Sequence, residues 1–275
     1  MNYIKDLEVR HIVMYALKED IGLKDITTEA FIPRGKTVKA ILVTKEDCVI
    51  CGLGVVALVF RLQDKNIKFR PLVQEGNLAK KGKIIARISG KAKSILSAER
   101  VALNFLSHLS GISTQTRNFV KQVKPYKAKI MDTRKTIPGL RLLEKYAVRI
   151  GGGFNHRLSL DEMVLIKDNH LKIIGGINKL TGFKRKYKIE IEVKNLREFK
   201  EALKTRPDII MLDNMKVTDI RKAVKIRKNS QPKLEVSGGV TLKNVRQIAS
   251  TCVDMISIGA LTHSTTAADI SLEIL

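Results

Sequence analysis

A chain of 275 residues, 44% of them hydrophobic, can bury a sizeable core in one or two domains. It has no Trp and only 5% aromatic residues, which argues against a protein built on base-stacking platforms. The formal charge of +24 asks for a polyanion partner, an anionic small substrate or a lysine-rich surface, and its spread along the whole chain assigns most of it to solvated helix faces such as Lys121–Lys129 and Lys216–Lys228.

The N-terminal stretch MNYIKDLEVRH carries charges where a secretory signal needs an apolar core. The longest apolar run, VICGLGVVALVF (49–60), has 12 residues and is too short to span a bilayer. A soluble cytoplasmic protein is expected. Residues 5–20 read as a helix, with Ile12, Val13, Ala16 and Leu17 partly on one face. Strand-like runs follow at Thr37–Thr44, Cys48–Cys51, Ile67–Pro71 and Lys83–Ser89, with a short helix over Gly54–Gln63. Cys48 and Cys51 form a CxxC with no second CxxC or His pair at zinc spacing, so they read as ordinary buried cysteines. GLGVVA (52–57) imitates a dinucleotide fingerprint, but the acidic residue about 20 positions on is Glu75, in the turn VQEGN, and the imitation fails there. Residues 94–109 predict a helix with Ala102, Phe105, Leu106 and Leu109 in one stripe.

From about residue 127 the pattern becomes strand, loop, helix, repeated. Strands are expected at Ala128–Met131, Met163–Ile166, Lys188–Val193, Ile209–Leu212, Lys233–Val236 and Met255–Ile258, with helices at 195–205, 216–228 and 241–250. This alternation implies parallel strands with right-handed crossovers, and six of them favour a closed or nearly closed α/β barrel. Barrel sites form at strand C-termini. There the chain places Asp132, Arg134 and Lys135, then Lys167 and Asp168, then Glu190 and Glu192, then Asp213 and Asn214. Glycine tips close the series, in SGGV (237–240) and SIGA (257–260).

Glycine lets backbone N–H groups approach phosphate oxygens, so two such tips suit a phosphate. Lys135 and Lys167 are point charges for polyphosphate, while Arg134 and Arg157 offer planar forks for carboxylates. Glu192 and Asp213 can hold sugar hydroxyls or a Mg²⁺ that also binds phosphate. In GGGFNHR (151–157), the glycines permit a tight turn or close approach, and His156 can donate or accept a hydrogen bond at a bound ring. The set suits transfer from a phosphorylated sugar pyrophosphate to a small acidic acceptor.

Arg134, Lys135, His156, Arg157 and Lys167 sit in DTRKTIPGLRLLEKYAVRIGGGFNHRLSLDEMVLIKDNH (132–170), which resembles the quinolinate phosphoribosyltransferases, the decarboxylating nicotinate-nucleotide pyrophosphorylases. The likeness continues through EDIGLKDITTEA (19–30), ILSAERVALNFLSHLSGIST (95–114), IEIEV (189–193), IIMLDNM (209–215), EVSGGV (235–240) and ISIGALTHS (257–264). It implies an N-terminal α/β sandwich over residues 1–110, joined by the tail 264–275, and an incomplete α/β barrel over 111–263. It implies conversion of quinolinate and phosphoribosyl pyrophosphate to nicotinate mononucleotide, pyrophosphate and CO₂ with Mg²⁺. It also implies a homodimer in which Arg100 of one subunit enters the site of the other. Lys135, Lys167, Glu192 and Asp213 are then the catalytic set. Thr133, Arg134, His156 and Arg157 join them in binding substrate. Ser237, Gly238, Gly239, Ser257, Gly259 and Ala260 form the phosphate region, followed by His263. The family often has Pro-Gly where this chain has Leu23-Lys24, and the lysine excess is unusual for it. Two other readings stand beside this one: a related phosphoribosyltransferase of the molybdenum-transport-associated branch, and a basic nucleic-acid-binding protein.

Overall fold

The computed structural model describes residues 7–180, 186–227 and 231–275; residues 5 and 6 of the expected first helix, and Lys228 of the expected basic face, lie outside them. The chain divides into two compact units, one of Met1–Arg117, Thr136–Gly152 and Thr262–Leu275, the other of Asn118–Lys135 and Gly153–Leu261.

In the first unit, α1 (Leu7–Ile21) buries Val9, Val13 and Leu17, spaced four apart so that they share one face. Helix α2 (Ile26–Phe31), not apparent in the sequence, starts where the Asp25 carboxylate accepts the Thr28 N–H at 2.9 Å. Strands β1 (Thr37–Thr44), β2 (Cys48–Val49), β3 (Lys68–Pro71), β4 (Leu78–Ala79) and β5 (Ile84–Lys91) follow, with α3 (Leu53–Gln63) between β2 and β3. The main sheet has the order β12-β1-β5-β3, its outer strand β12 (Ile270–Ile274) coming from the far end of the chain. All its pairings are antiparallel. Strand β2 is shorter than expected because the chain turns at Gly52, φ +108°, into α3. At that turn both Glu75 carboxylate oxygens accept the Gly52 N–H at 3.0 Å. A protein carboxylate thus fills the place a dinucleotide phosphate would need. Cys48 and Cys51 are buried free thiols, as expected.

Helix α4 (Ala92–Val123) runs well past residue 109, straight through Gly111. That glycine is a packing contact and not a stop: a Cβ there would collide with the Thr266 carbonyl oxygen. The extra turns also serve β2, since the hydroxyls of Thr114 and Ser110 accept the Val49 and Cys51 N–H groups at 2.8 and 3.0 Å. The α4 helix ends at Val123, so Lys121–Lys129 is not one helix face. Helix α5 (Arg141–Ile150) completes the unit and was not predicted.

The second unit is a six-stranded sheet of β6 (Lys129–Met131), β7 (Val164–Ile166), β8 (Ile189–Val193), β9 (Ile209–Asp213), β10 (Lys233–Ser237) and β11 (Met255–Ser257). Each matches a predicted strand to within two residues at either end. Every pairing is parallel. The order β6-β11-β10-β9-β8-β7 puts the consecutive strands β6 and β7 at opposite edges, which is an incomplete α/β barrel. Helices α6 (Asp168–Ile174), α7 (Leu196–Lys204), α8 (Val217–Arg227), α9 (Val245–Ala249) and α10 (Ala260–His263) lie between or after the strands. Register aligns Glu192 with Met211, Met211 with Glu235 and Glu235 with Met255. One pleat nearer the C-terminal ends, Asp213, Ser237 and Ser257 align. Residues two apart on a strand share a face, so Glu190, Glu192, Asp213, Glu235, Ser237 and Ser257 line one side of the sheet.

Candidate active site

The site begins where β6 ends. Asp132 is fully buried, and its carboxylate accepts the Asn155 side-chain amide and, at 2.8 Å, the His156 backbone N–H. A parallel bridge between Met131 and Phe154 extends the sheet edge to the same segment. Residues 155–157 are thereby tied to the C-terminal end of β6. Arg157 donates through Nη1 to the Met163 carbonyl at 2.8 Å. Burial, and then the nearby Arg134, pull its guanidinium below its usual range, while Glu190 opposes them. Arg134 and Arg157 therefore stand close enough to repel, an arrangement that a bound dianion would relieve. Lys135 is exposed beside them, its backbone N–H held at 3.1 Å by the Thr133 hydroxyl.

A second group forms at the ends of β7, β8 and β9. Burial raises the Glu192 carboxyl, Asp213 raises it further, and Lys167 pulls it back, so these three side chains are near neighbours. Asp168 pairs with Lys194 at 2.7 Å. With Glu192 these two line a cavity of about 420 Å³.

The glycine tip of β10 has a specific geometry. Gly238 has φ +88°, and a Cβ there would strike the Asn214 side-chain amide. Asn214 donates its backbone N–H to the Ser237 carbonyl and Asn244 donates its side-chain amide to Gly239, both at 2.9 Å. The turn is therefore clamped on two sides with its glycines bare. Ser257 is buried, and its hydroxyl donates to Glu235, toward the sheet interior. Gly259 and Ala260 follow it half-buried, Ala260 opening α10. Two predicted residues belong to the first unit: Arg100, exposed on α4, and His263, whose Nδ1 lies 2.6 Å from the Ser264 hydroxyl.

The N-terminal domain of quinolinate phosphoribosyl transferase matches residues 25–110, and its C-terminal domain residues 112–273. The chain belongs to the quinolinate phosphoribosyltransferase family. A probable nicotinate-nucleotide pyrophosphorylase [carboxylating] of Methanocaldococcus jannaschii is 44% identical over 98% of both chains. One of Bacillus subtilis is 37% identical over 98% of this chain and 94% of the relative. Among solved structures, the nicotinate-nucleotide pyrophosphorylase of Francisella tularensis superposes with a TM-score of 0.91 at 40% identity, covering 98% of this chain and 96% of that one. That of Ehrlichia chaffeensis gives 0.92 at 41%, covering 96% and 98%. Like these relatives, this member of the family is a phosphoribosyltransferase.

Within this phosphoribosyltransferase the triple glycine has two separate causes. A Cβ on Gly151 would lie 2.5 Å from the Thr116 Cβ and 2.7 Å from the Ser113 carbonyl, so close packing on α4 demands glycine. Gly152 has φ +95°, so backbone conformation demands it there. The largest feature that sequence reasoning missed lies beneath the cations. Glu190 and Glu235 are fully buried, and His156 Nε2 stands 3.0 Å from Glu190 and 3.6 Å from Glu235. Burial, and then Glu190, push the Glu235 carboxyl up to about 8. The signal was present in IEIEV: two glutamates spaced by two on a buried strand must both face the inside of a barrel.

Proposed function

We propose that this site transfers phosphoribosyl from phosphoribosyl pyrophosphate to quinolinate, with decarboxylation, and that the residues at the strand tips divide the work as follows. Arg134 and Arg157 bind the two carboxylates of quinolinate. Lys135 and Lys167 bind the pyrophosphate of the donor, and the clamped turn of Ser237, Gly238 and Gly239, with Gly259 and Ala260, cradles its 5′-phosphate. The observation that carries this reading is that a chain of the quinolinate phosphoribosyltransferase family brings Arg157 near Arg134, and Glu192 near Asp213 and Lys167, at its strand tips.

The pyridine nitrogen attacks the anomeric carbon as the carbon–oxygen bond to pyrophosphate breaks. Glu192 and Asp213 stabilise the positive charge on the ribosyl ring, and the lysines offset the charge that leaves. When the neighbouring carboxylate departs as CO₂, the electron pair of the broken bond stays on that ring carbon, where the adjacent quaternised nitrogen stabilises it as an ylide, and the carbon then takes up a proton. No covalent bond to the protein is needed; the residues position and screen. The raised, half-buried Glu192 beside Asp213 fits a divalent cation, and Mg²⁺ bound there with the donor phosphates would add charge neutralisation of the leaving group.

A second copy of the chain belongs to the same reading, with Arg100, exposed on α4, reaching the partner's quinolinate site. So does a cytoplasmic location, where charged phosphorylated metabolites are held. The names of the relatives do not favour the molybdenum-transport-associated branch. The test is to incubate the protein with the donor, Mg²⁺ and either quinolinate or nicotinate. Nicotinate mononucleotide from quinolinate alone is expected. No nucleotide, or equal use of nicotinate, would refute the assignment.

A further inference from the structure

We infer that Glu190 is a positioning residue for quinolinate binding: it holds His156 as a neutral strut whose other ring nitrogen fixes the backbone of Arg157. The inference rests on the reading that Arg157 binds the acid.

The geometry of the imidazole sets its protonation. The Arg157 backbone N–H donates to His156 Nδ1 at 2.9 Å, so Nδ1 presents a lone pair and carries no proton. The ring proton is then on Nε2, and it is donated to Glu190 Oε2 at 3.0 Å. Protonating both nitrogens would set an N–H against the Arg157 N–H. The His156 side chain is only 8% exposed, so this ring is part of the interior wall. A chain of contacts results, from Glu190 on β8 to the His156 ring and from the ring to the Arg157 backbone. Asp132 anchors the same segment from β6, through the Asn155 amide and the His156 N–H.

Glu235 supports the strut from the other side. Its carboxyl receives the Ser257 hydroxyl and stands 3.6 Å from the same Nε2. Among the described residues, Glu190 Oε1 and Glu235 Oε2 are buried without a hydrogen-bond partner. Two buried, half-satisfied carboxyls are costly, and an apolar pair of similar volume would avoid that cost. Their placement under the guanidinium pair is explained if they fix where Arg157 stands. A metal ion at the three side chains is disfavoured by the same hydrogen bond, because a nitrogen that carries a proton offers no lone pair to a cation.

The test compares Glu190→Leu, which removes the acceptor, with Glu190→Gln, whose amide oxygen retains it. Glu190→Leu should raise KM for quinolinate about tenfold or more, with KM for the donor changed by less than about twofold. Glu190→Gln should restore the quinolinate KM to within about threefold of the parent. Equal effects on both substrates, or an unchanged quinolinate KM in folded Glu190→Leu, would overturn the inference. If Glu190→Leu does not fold, ¹⁵N NMR of the unmodified protein decides, with the His156 signals identified by their loss in His156→Asn. A protonated Nε2 and a bare Nδ1 at neutral pH are expected; an imidazolium, the opposite tautomer or a metal-bound Nε2 would overturn it. Arg157→Ala separates the two readings. If it leaves the quinolinate KM unchanged, the functional reading fails; if it raises that KM and Glu190→Leu does not, only the present inference fails.

Discussion

The two sheets of this protein treat their buried faces in opposite ways. In the antiparallel sheet, β1 buries Ala40, Ile41, Leu42 and Val43 in succession, and the gain comes from apolar surface removed from water. In the parallel sheet, the inner face carries Glu190, Glu235 and Ser257 fully buried and Glu192 and Asp213 half-buried. Burying carboxyl groups opposes folding unless they are paired or protonated. The first sheet is what a stable domain requires. The second accepts an energetic cost at the strand tips, where its cations and glycines also gather, and that difference supports the proposal that the site lies there.

Substitutions can break the comparison or sharpen it. The largest effect should come from the inert sheet: Leu42→Ala removes a fully buried side chain and should cost about 3–4 kcal/mol in denaturant unfolding, with kcat and both KM values kept in the folded fraction. A large kinetic change would show that the two sheets are not so separate. In the working sheet, Arg157→Ala should lower kcat/KM for quinolinate about a hundredfold, close to 3 kcal/mol of charged hydrogen bonding, with little loss of stability. Unaltered quinolinate kinetics would remove Arg157 from the site.

Glu235 gives a pH test of the buried acids. Its folded carboxyl lies at about 8 against an ordinary value near 4.5, and Glu190, His156 and Asp132 face it along with the Ser257 hydroxyl. A group raised on folding contributes stability below its unfolded value and loses that contribution as pH rises through the folded one. The parent protein should therefore lose stability relative to Glu235→Gln as pH rises from roughly 4.5 to 8, read as a steadily falling Tm relative to that variant across the window. A constant difference would mean that Glu235 does not titrate in this environment. The smallest effect is expected for exposed Lys135: Lys135→Ala should raise KM for the donor about tenfold and leave that for quinolinate unchanged.

Much of this was legible in the sequence because its signals are local. Six short β runs, the later ones separated by helical segments, pointed to the parallel sheet, and a residue after a run, such as Arg134, Lys167 or Asp213, fell at a strand tip by chain position alone. Elements that depend on distant partners were hidden. Helix α4 passes through Gly111 because the Thr266 backbone lies against it, and β12 forms only by pairing with β1. In the site, the tips were readable but the layer beneath them was not. His156 stands out in the sequence because it precedes Arg157 and follows a glycine run, but the contacts of its ring with Glu190 and the Arg157 backbone are not legible there. Only the register of β8 against β9 and β10 brings Glu190 and Glu235 to one ring, and register between parallel strands is not written in any single segment.

The central claim is that one cavity at the strand tips joins ribosyl transfer to loss of a carboxylate. Quinolinate labelled with ¹⁴C in the carboxyl next to the ring nitrogen, incubated with the donor and Mg²⁺, measures both events in one tube. Equal moles of labelled CO₂ and nicotinate mononucleotide, both falling together in Arg157→Ala, are predicted. Nucleotide formed with the label retained, or CO₂ released without the donor, would contradict it.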